Sequence, residues 1–154
     1  MPIRRIPPVV TGADRQIAVV LSRFNPEIGD MLLEGALRGL RDAGVAEEDI
    51  LVVTVPGALE TPLALHRLAQ TGDYDALVAL GAVVRGETYH FEIVANESAA
   101  GVARVALEFG IPIGNGILTT DTDAQALARA AQKGFDAAQA ALEMATLLEA
   151  IDEE

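Results

Sequence analysis

The chain has 154 residues, which suits one domain able to bury about two-thirds of the surface that its unfolded form exposes. Hydrophobic residues make up 51% of the chain and aromatic residues only 4%, so the core is expected to consist of aliphatic side chains, as in helices packed on a parallel sheet. The 23 acidic and 11 basic side chains give a net charge of −12, and there is no cysteine, which disfavours nucleic acid as a partner and excludes disulfides, thiolate nucleophiles and thiolate metal sites.

No stretch of the sequence has the composition of a targeting or membrane segment. The first ten residues, MPIRRIPPVV, contain arginines, but no apolar segment of about 7–15 residues follows them. No apolar run approaches the roughly 20 residues that span a bilayer. We therefore expect a soluble, cytoplasmic protein without a membrane partner.

Four apolar runs alternate with segments of helical spacing, and they cover residues 16–21, 50–55, 76–84 and 111–118. This repeated strand–helix order predicts an α/β fold, a three-layer α/β/α sandwich around a four-stranded parallel sheet. Ligands are expected at the carboxyl ends of its strands. Residues 1–14 are predicted to form an N-terminal arm, and residues 15–154 the folded domain.

The first helix is predicted from its start and stop signals. Asn25 is a suitable N-cap, Pro26 suits the first helical position, and Gly44 is a typical helix terminator. The helix should therefore span about residues 26 to 43.

The C-terminal region is predicted to form two successive helices. The spacing of Thr122 and Gln125 is that of a capping box, so a short helix should begin there with Gln125 and Arg129 on one face. A last, alanine-rich helix should open at Lys133 and Gly134. Close packing between subunits and ordinary core packing both explain its small side chains.

Polar residues follow all four predicted strands, in the stretches SRFN, PGALE, RGETYHF and TTDTDAQ, which begin at residues 22, 56, 85 and 119. Turns need some polar residues in any case. The third stretch has an excess, with ionisable side chains at most of its positions. Because the carboxyl ends of parallel strands meet at one edge of a sheet, we expect a functional site there.

Two histidines occur in the chain, and only one follows a strand. His66 lies within a helical pattern beside Arg67 and is expected to be structural. His90 follows the third strand, near Glu87 and Thr88. Histidine imidazoles titrate near neutral pH, so His90 is a candidate for proton transfer, with helix capping or a core contact as the alternative.

The fourth stretch offers an anion site and, less directly, a metal site. Arg129 and Lys133 are four residues apart and form an isolated basic pair in an acidic chain, which favours anion binding. Asp121 and Asp123 are read as helix-start residues, because no further oxygen ligand follows at calcium-loop spacing. No metal is expected.

Five stretches, in order and at similar spacing, resemble the 6,7-dimethyl-8-ribityllumazine synthase family of riboflavin biosynthesis: RFN, VPGALE, GAVVRGETYHFEIV, GILTTDTDAQALARA and KGFDAAQAALEMA. The resemblance covers about residues 15 to 150. It implies a flavodoxin-like fold and a transferase that condenses 5-amino-6-(ribitylamino)uracil with 3,4-dihydroxy-2-butanone 4-phosphate. It also implies that neither a metal nor an organic cofactor is needed.

The resemblance also implies roles for individual residues. Phe24 would stack on the pyrimidine, Glu60 would bind ribityl hydroxyls, and His90 would transfer protons. Glu87 and Thr88 would contact the phosphate. The other positions implied to bind substrate are Ala58, Leu59, Ala82, Val83, Val84, Asn115, Arg129 and Lys133.

Two other functions stay open at this stage. One is a Schiff-base aldolase, for which Lys133 is the single lysine available as an amine nucleophile. The other is a shell or carrier protein that binds flavin-like heterocycles without turnover.

The resemblance further implies a homo-oligomer. The expected unit is a pentamer, which in some members of the family builds a sixty-subunit shell. Asn115 and Arg129 would then reach the pocket of a neighbouring subunit. The N-terminal PIRRIPP could add a strand to the sheet of a neighbour before its prolines stop the pairing.

Overall fold

A computed structural model of the chain describes residues 2–154, so that Met1, the first residue of the predicted arm, lies outside the described part. The strands are β1 (Ile17–Ser22), β2 (Ile50–Val55), β3 (Ala76–Val84) and β4 (Ile113–Thr120). The α-helices are α1 (Pro26–Asp42), α2 (Thr61–Thr71), α3 (His90–Phe109) and α4 (Asp123–Asp152). In this part of the chain, no helix is long and apolar enough to span a bilayer.

The strands form one parallel sheet in the order β2-β1-β3-β4. All residues of β1 are buried, as are all but the last of β3, because strands at the centre of such a sheet are covered on both faces. The edge strand β2 is largely exposed. The predicted three-layer α/β fold is thereby confirmed.

Successive residues of β1 point into two different cores. Val19 and Leu21 belong to one apolar cluster, with α1 and α4. Ala18 and Val20 belong to another, with α2 and α3. The alternation follows from the two-residue period of a strand.

Helix α4 corrects the prediction of two C-terminal helices. It runs without interruption for 30 residues, and its start at the Thr122–Gln125 capping box is as predicted. Gly134 does not open a new helix. A Cβ at this position would lie 2.0 Å from the backbone oxygen of Leu32, so the glycine allows α1 and α4 to approach closely.

The alanines of α4 are mostly buried within the subunit. Core packing therefore accounts for the buried alanines, whereas the exposed ones at positions 124, 128, 131 and 140 are left to the alternative of packing between subunits.

The bounds of β1, β4 and α1 differ in detail from the prediction, since β1 lies one residue later and β4 ends two residues later than predicted. Strand β4 begins two residues late, because Ile111 still donates its N–H to Ala106 of α3 and Pro112 has no N–H to donate. Helix α1 begins as predicted at Pro26 and ends one residue early. Asn25 occupies its N-cap position, but its side chain makes no capping hydrogen bond.

Candidate active site

A cavity of about 530 Å³ lies at the carboxyl ends of β1, β2 and β3. We call it the strand-end cavity. Its volume falls in the range of small-molecule sites. It is lined by Phe24, Pro56, Gly57, Ala58, Leu59, Glu60, Ala82, Val83, Val84, Gly86, Thr88, His90, Phe91 and Val94.

The first wall of the cavity comes from the segments after β1 and β2. The chain leaves β1 at Ser22 and turns into α1, and this short turn leaves the Phe24 ring 80% exposed at the rim. After β2, a 3₁₀ turn at Ala58–Glu60 leads directly into α2. The cavity therefore has an aromatic ring and the Glu60 carboxylate on its β1–β2 side.

The opposite wall comes from the end of β3 and the start of α3. Residues 85–89 form neither helix nor strand, and His90 is the first residue of α3. The His90 N–H donates to the Thr88 hydroxyl oxygen at 3.4 Å. Since the first N–H groups of a helix lack partners within the helix, this end of α3 is suited to an anionic group.

The lining is poor in positive charge. Among the described residues that line the strand-end cavity, the acidic and basic side chains are Glu60 and His90, and there is no lysine or arginine. Arg85 lies nearby, but its guanidinium donates to Glu92 at 2.5 Å and to Asp121 at 3.0 Å. Hydrogen bonding to Arg85 holds the pKa of the Glu92 carboxyl below its ordinary range. The arginine charge is thus already offset by two carboxylates.

Four of the residues expected to bind substrate lie outside this lining. Glu87 is exposed on the turn before α3. Asn115 lies on the edge strand β4 in register with Ala79, and its side-chain oxygen accepts from the N–H of Ile117 at 3.0 Å. Arg129 and Lys133 lie on α4. Apart from Glu87, the predicted residues therefore divide into one group at the cavity and another on β4 and α4.

The remaining predicted positions can also be located. His66 lies on α2, where its Nε2 is 3.6 Å from Glu108 Oε1 and its ring meets Phe109 edge-on. Arg129 donates to the backbone oxygen of Gln125 at 2.9 Å, so these two residues share a face of α4 as predicted.

Comparison with known proteins identifies the family. The profile of the 6,7-dimethyl-8-ribityllumazine synthase family matches residues 14–149. The chain belongs to the 6,7-dimethyl-8-ribityllumazine synthase family. It is 60% identical to the protein of that name from Cupriavidus metallidurans over 141 residues, which are 92% of this chain and 83% of the relative.

Other lumazine synthases are similarly close. The one from Ralstonia nicotianae is 57% identical over 146 residues, covering 95% of this chain and 89% of the relative. The one from Paraburkholderia phymatum is 52% identical over 153 residues, covering 99% of this chain and 89% of the relative. The similarity to these two relatives thus covers most of the length of both aligned sequences.

Several residues that line the cavity of this lumazine synthase family member were missed by sequence reasoning. Phe91 and Val94 line the cavity from the first turns of α3. Val94 is four residues after His90 and three after Phe91, and this helical spacing is a signal that could have found them. Pro56, Gly57 and Gly86 line it through the turns that shape its floor and rim.

Proposed function

We propose that this chain condenses 5-amino-6-(ribitylamino)uracil with 3,4-dihydroxy-2-butanone 4-phosphate to form 6,7-dimethyl-8-ribityllumazine, a step of riboflavin biosynthesis. The observation that carries the proposal is the strand-end cavity. Its lining combines an aromatic rim, a carboxylate and one imidazole, all from the motifs on which family membership rests. Relatives that share 52% to 60% of their residues with this chain are named for the same product.

The β1–β2 side of the cavity suits both parts of the pyrimidine substrate, the heterocycle and the ribityl chain. The exposed Phe24 ring offers a flat apolar surface for the heterocycle. The Glu60 carboxylate is an acceptor for ribityl hydroxyls. Backbone groups of the segment after β2 and the last residues of β3 would hold and line the heterocycle: Ala58, Leu59, Ala82, Val83 and Val84.

The reaction consists of proton transfers and eliminations, for which one imidazole and good positioning are suited. The aromatic amine adds to the ketone carbonyl, and loss of water gives an imine. Proton removal from the adjacent carbon expels phosphate and generates a new carbonyl group after tautomerisation. The ribityl-bearing amine then attacks this carbonyl, and a second water leaves. His90 is the group proposed to accept and return these protons.

The phosphate of the second substrate needs a positive partner that the cavity lining of one chain does not include. A phosphate at the start of α3 would accept hydrogen bonds from the Thr88 hydroxyl and from backbone N–H groups near Glu87. We propose that Arg129 of a neighbouring subunit supplies the charge, with Lys133 and Asn115 on the same side of the contact. The aldolase alternative gains no support, because its lysine lies on α4 and outside the cavity lining.

A site shared between neighbours is compatible with a head-to-tail contact, and such a contact closes into a ring when the rotation between subunits fits. We propose a ring of five subunits. The outer face of α3 supports this assembly, because it carries an exposed apolar stripe of Ile93, Ala100, Ala103 and Leu107. The most exposed of these residues that is large and apolar, Leu107, is 86% exposed. Exposed apolar side chains at helical spacing are typical of a helix–helix interface.

The N-terminal arm, residues 1–14, is proposed to pair with a neighbour. Within its described part, Ile3 is 82% exposed and Val9 is 44% exposed. The edge strand β2 also exposes Leu51 and Val52. An unpaired strand edge next to exposed apolar residues is a template for strand addition.

The function is tested by giving the purified protein both substrates and following the fluorescence of the lumazine product. We expect lumazine to form well above the rate in buffer. We also expect the active protein to have the mass of a pentamer. A rate equal to that in buffer would reject the function and favour a carrier protein that binds flavin-like heterocycles without turnover. Light scattering coupled to size exclusion separates the assemblies: a mass near five chains supports the ring, and one near sixty supports the shell.

A further inference from the structure

Arg85, the first residue after β3, links the two segments on which the proposed site depends. Its Nη1 donates to Glu92 Oε1 at 2.5 Å, and its Nε donates to Asp121 Oδ1 at 3.0 Å. The guanidinium carbon also lies 4.4 Å from the centre of the Phe91 ring, which lines the strand-end cavity. One side chain therefore contacts α3 through a ring and a carboxylate, and the β4–α4 loop through a second carboxylate.

The contact with Asp121 continues into the start of α4. The N–H of Asp121 donates to the side-chain oxygen of Gln125 at 2.8 Å, and Gln125 forms the capping box of that helix with Thr122. Arg129 in turn donates to the backbone oxygen of Gln125 at 2.9 Å. A continuous set of contacts thus runs from the first turn of α3, which begins with His90, through Arg85 to the helix start that carries Arg129.

The turn that follows Arg85 has little else to hold it. Residues 85–90 are all exposed, and the hydrogen bond from His90 N–H to the Thr88 hydroxyl is long, at 3.4 Å. Exposed turns with few hydrogen bonds open more readily than buried elements. An arginine is suited to anchor such a turn, because its planar guanidinium can stack on a ring while its edge donates to carboxylates.

We propose that Arg85 is a positioning residue for the condensation, one that fixes the start of α3 so that Thr88 and His90 face the cavity in a productive geometry. This inference rests on the proposed function. Arg85 does not serve as the phosphate ligand, because its charge is already offset by Glu92 and Asp121.

The variants Arg85→Met and Arg85→Lys separate positioning from charge. Methionine keeps much of the side-chain length but removes all donors, and a displacement of about 1 Å can reduce a rate by roughly 10²-fold. We expect Arg85→Met to lower kcat by about 10- to 100-fold with both KM values within about threefold of wild type. Lysine restores the charge and one donor group, so Arg85→Lys should recover part of kcat. Arg67→Met, at an exposed arginine on α2, is the matched control and should stay within about twofold.

Hydrogen exchange measured by mass spectrometry gives a readout that does not depend on turnover. Loss of the anchor should increase amide exchange several-fold in residues 86–93, with the peptides of α2 unchanged. Glu92→Gln removes one of the two carboxylates and leaves the arginine in place. It should increase exchange in the same residues, to a smaller extent and with a smaller loss of kcat, and it replaces Arg85→Met if that variant does not fold.

Three results would overturn the inference. The first is a kcat for Arg85→Met within twofold of wild type. The second is an increased KM for the ketone phosphate alone at unchanged kcat, which would make Arg85 an anion ligand. The third is unchanged exchange in residues 86–93. This last result rejects the anchoring role even if wild-type protein forms no lumazine, whereas the absence of lumazine with increased exchange in the variant rejects only the proposed function.

Discussion

Two glycines of α1 allow the packing between α1 and α4 to be tested by matched substitutions. Both Gly29 and Gly35 are buried on this helix. A Cβ at Gly35 would lie 2.0 Å from the backbone oxygen of Ala131 on α4, whereas a Cβ at Gly29 would meet its nearest atom, Leu21 Cδ1, at 3.5 Å. Gly35→Ala therefore forces two backbones apart, and Gly29→Ala fills available space.

The magnitude follows from these distances. To restore an ordinary contact of 3.4 Å, α1 and α4 must separate by roughly 1.4 Å near Ala131. Overpacking of this kind costs about 1–3 kcal/mol. Both variants gain up to about 1 kcal/mol of helix propensity, so the difference between them isolates the packing cost. For a domain of this size, about 1 kcal/mol corresponds to roughly 2–4 °C in Tm.

Thermal unfolding followed by far-UV circular dichroism at one protein concentration measures this difference. We expect Gly35→Ala to unfold at least a few degrees below Gly29→Ala. Because Ala131 lies between Arg129 and Lys133 in the sequence, Gly35→Ala should also raise KM for the ketone phosphate. Equal unfolding midpoints for the two variants would show that the helices do not meet as closely as described.

Three further predictions concern the site. His90→Ala should reduce turnover on the order of 10²-fold without abolishing it, as measured by steady-state lumazine formation, with His66→Ala near wild type; an unchanged turnover number would remove His90 from proton transfer. Arg129→Ala should raise KM for the ketone phosphate far more than for the pyrimidine, and equal weakening for both substrates would assign the residue to the fold or interface instead. The pKa of Glu92 is lowered by Arg85, so their pairing contributes stability above the unfolded pKa of about 4.3 that is lost as the pH falls through the lower folded value. Glu92→Gln should therefore flatten the acid limb of a stability–pH profile, and a limb as steep as that of wild type would contradict the pairing.

The sheet could be predicted from sequence because its central strands are apolar on both faces. For β3, the predicted and observed bounds agree at residues 76–84. The boundary of β4 was harder, since Ile111 and Pro112 continue the apolar pattern but serve the end of α3 and the following turn. Periodicity does not distinguish a residue that pairs in a sheet from an apolar neighbour that does not.

The division of the C-terminal region could not be predicted locally. Gly134 has the sequence signature of a helix boundary, yet its role depends on a neighbouring helix about 100 residues earlier in the chain. Cavity residues could be predicted from the sequence where several of them lie in one motif, as around His90. The contacts of Arg85 with Asp121 were not, because 36 residues separate the partners.

The central claim is that His90 of one subunit and Arg129 of the next complete one site. It is tested most directly by assembling two impaired variants together, with the ketone phosphate held well below the KM of Arg129→Ala. When His90→Ala and Arg129→Ala chains are mixed in equal amounts and reassembled, about one site in four should contain both native residues, as expected for a head-to-tail ring. We predict that lumazine formation then rises to about a quarter of the wild-type rate, well above either variant alone. A mixture no more active than the mean of the two variants would contradict a site shared between subunits.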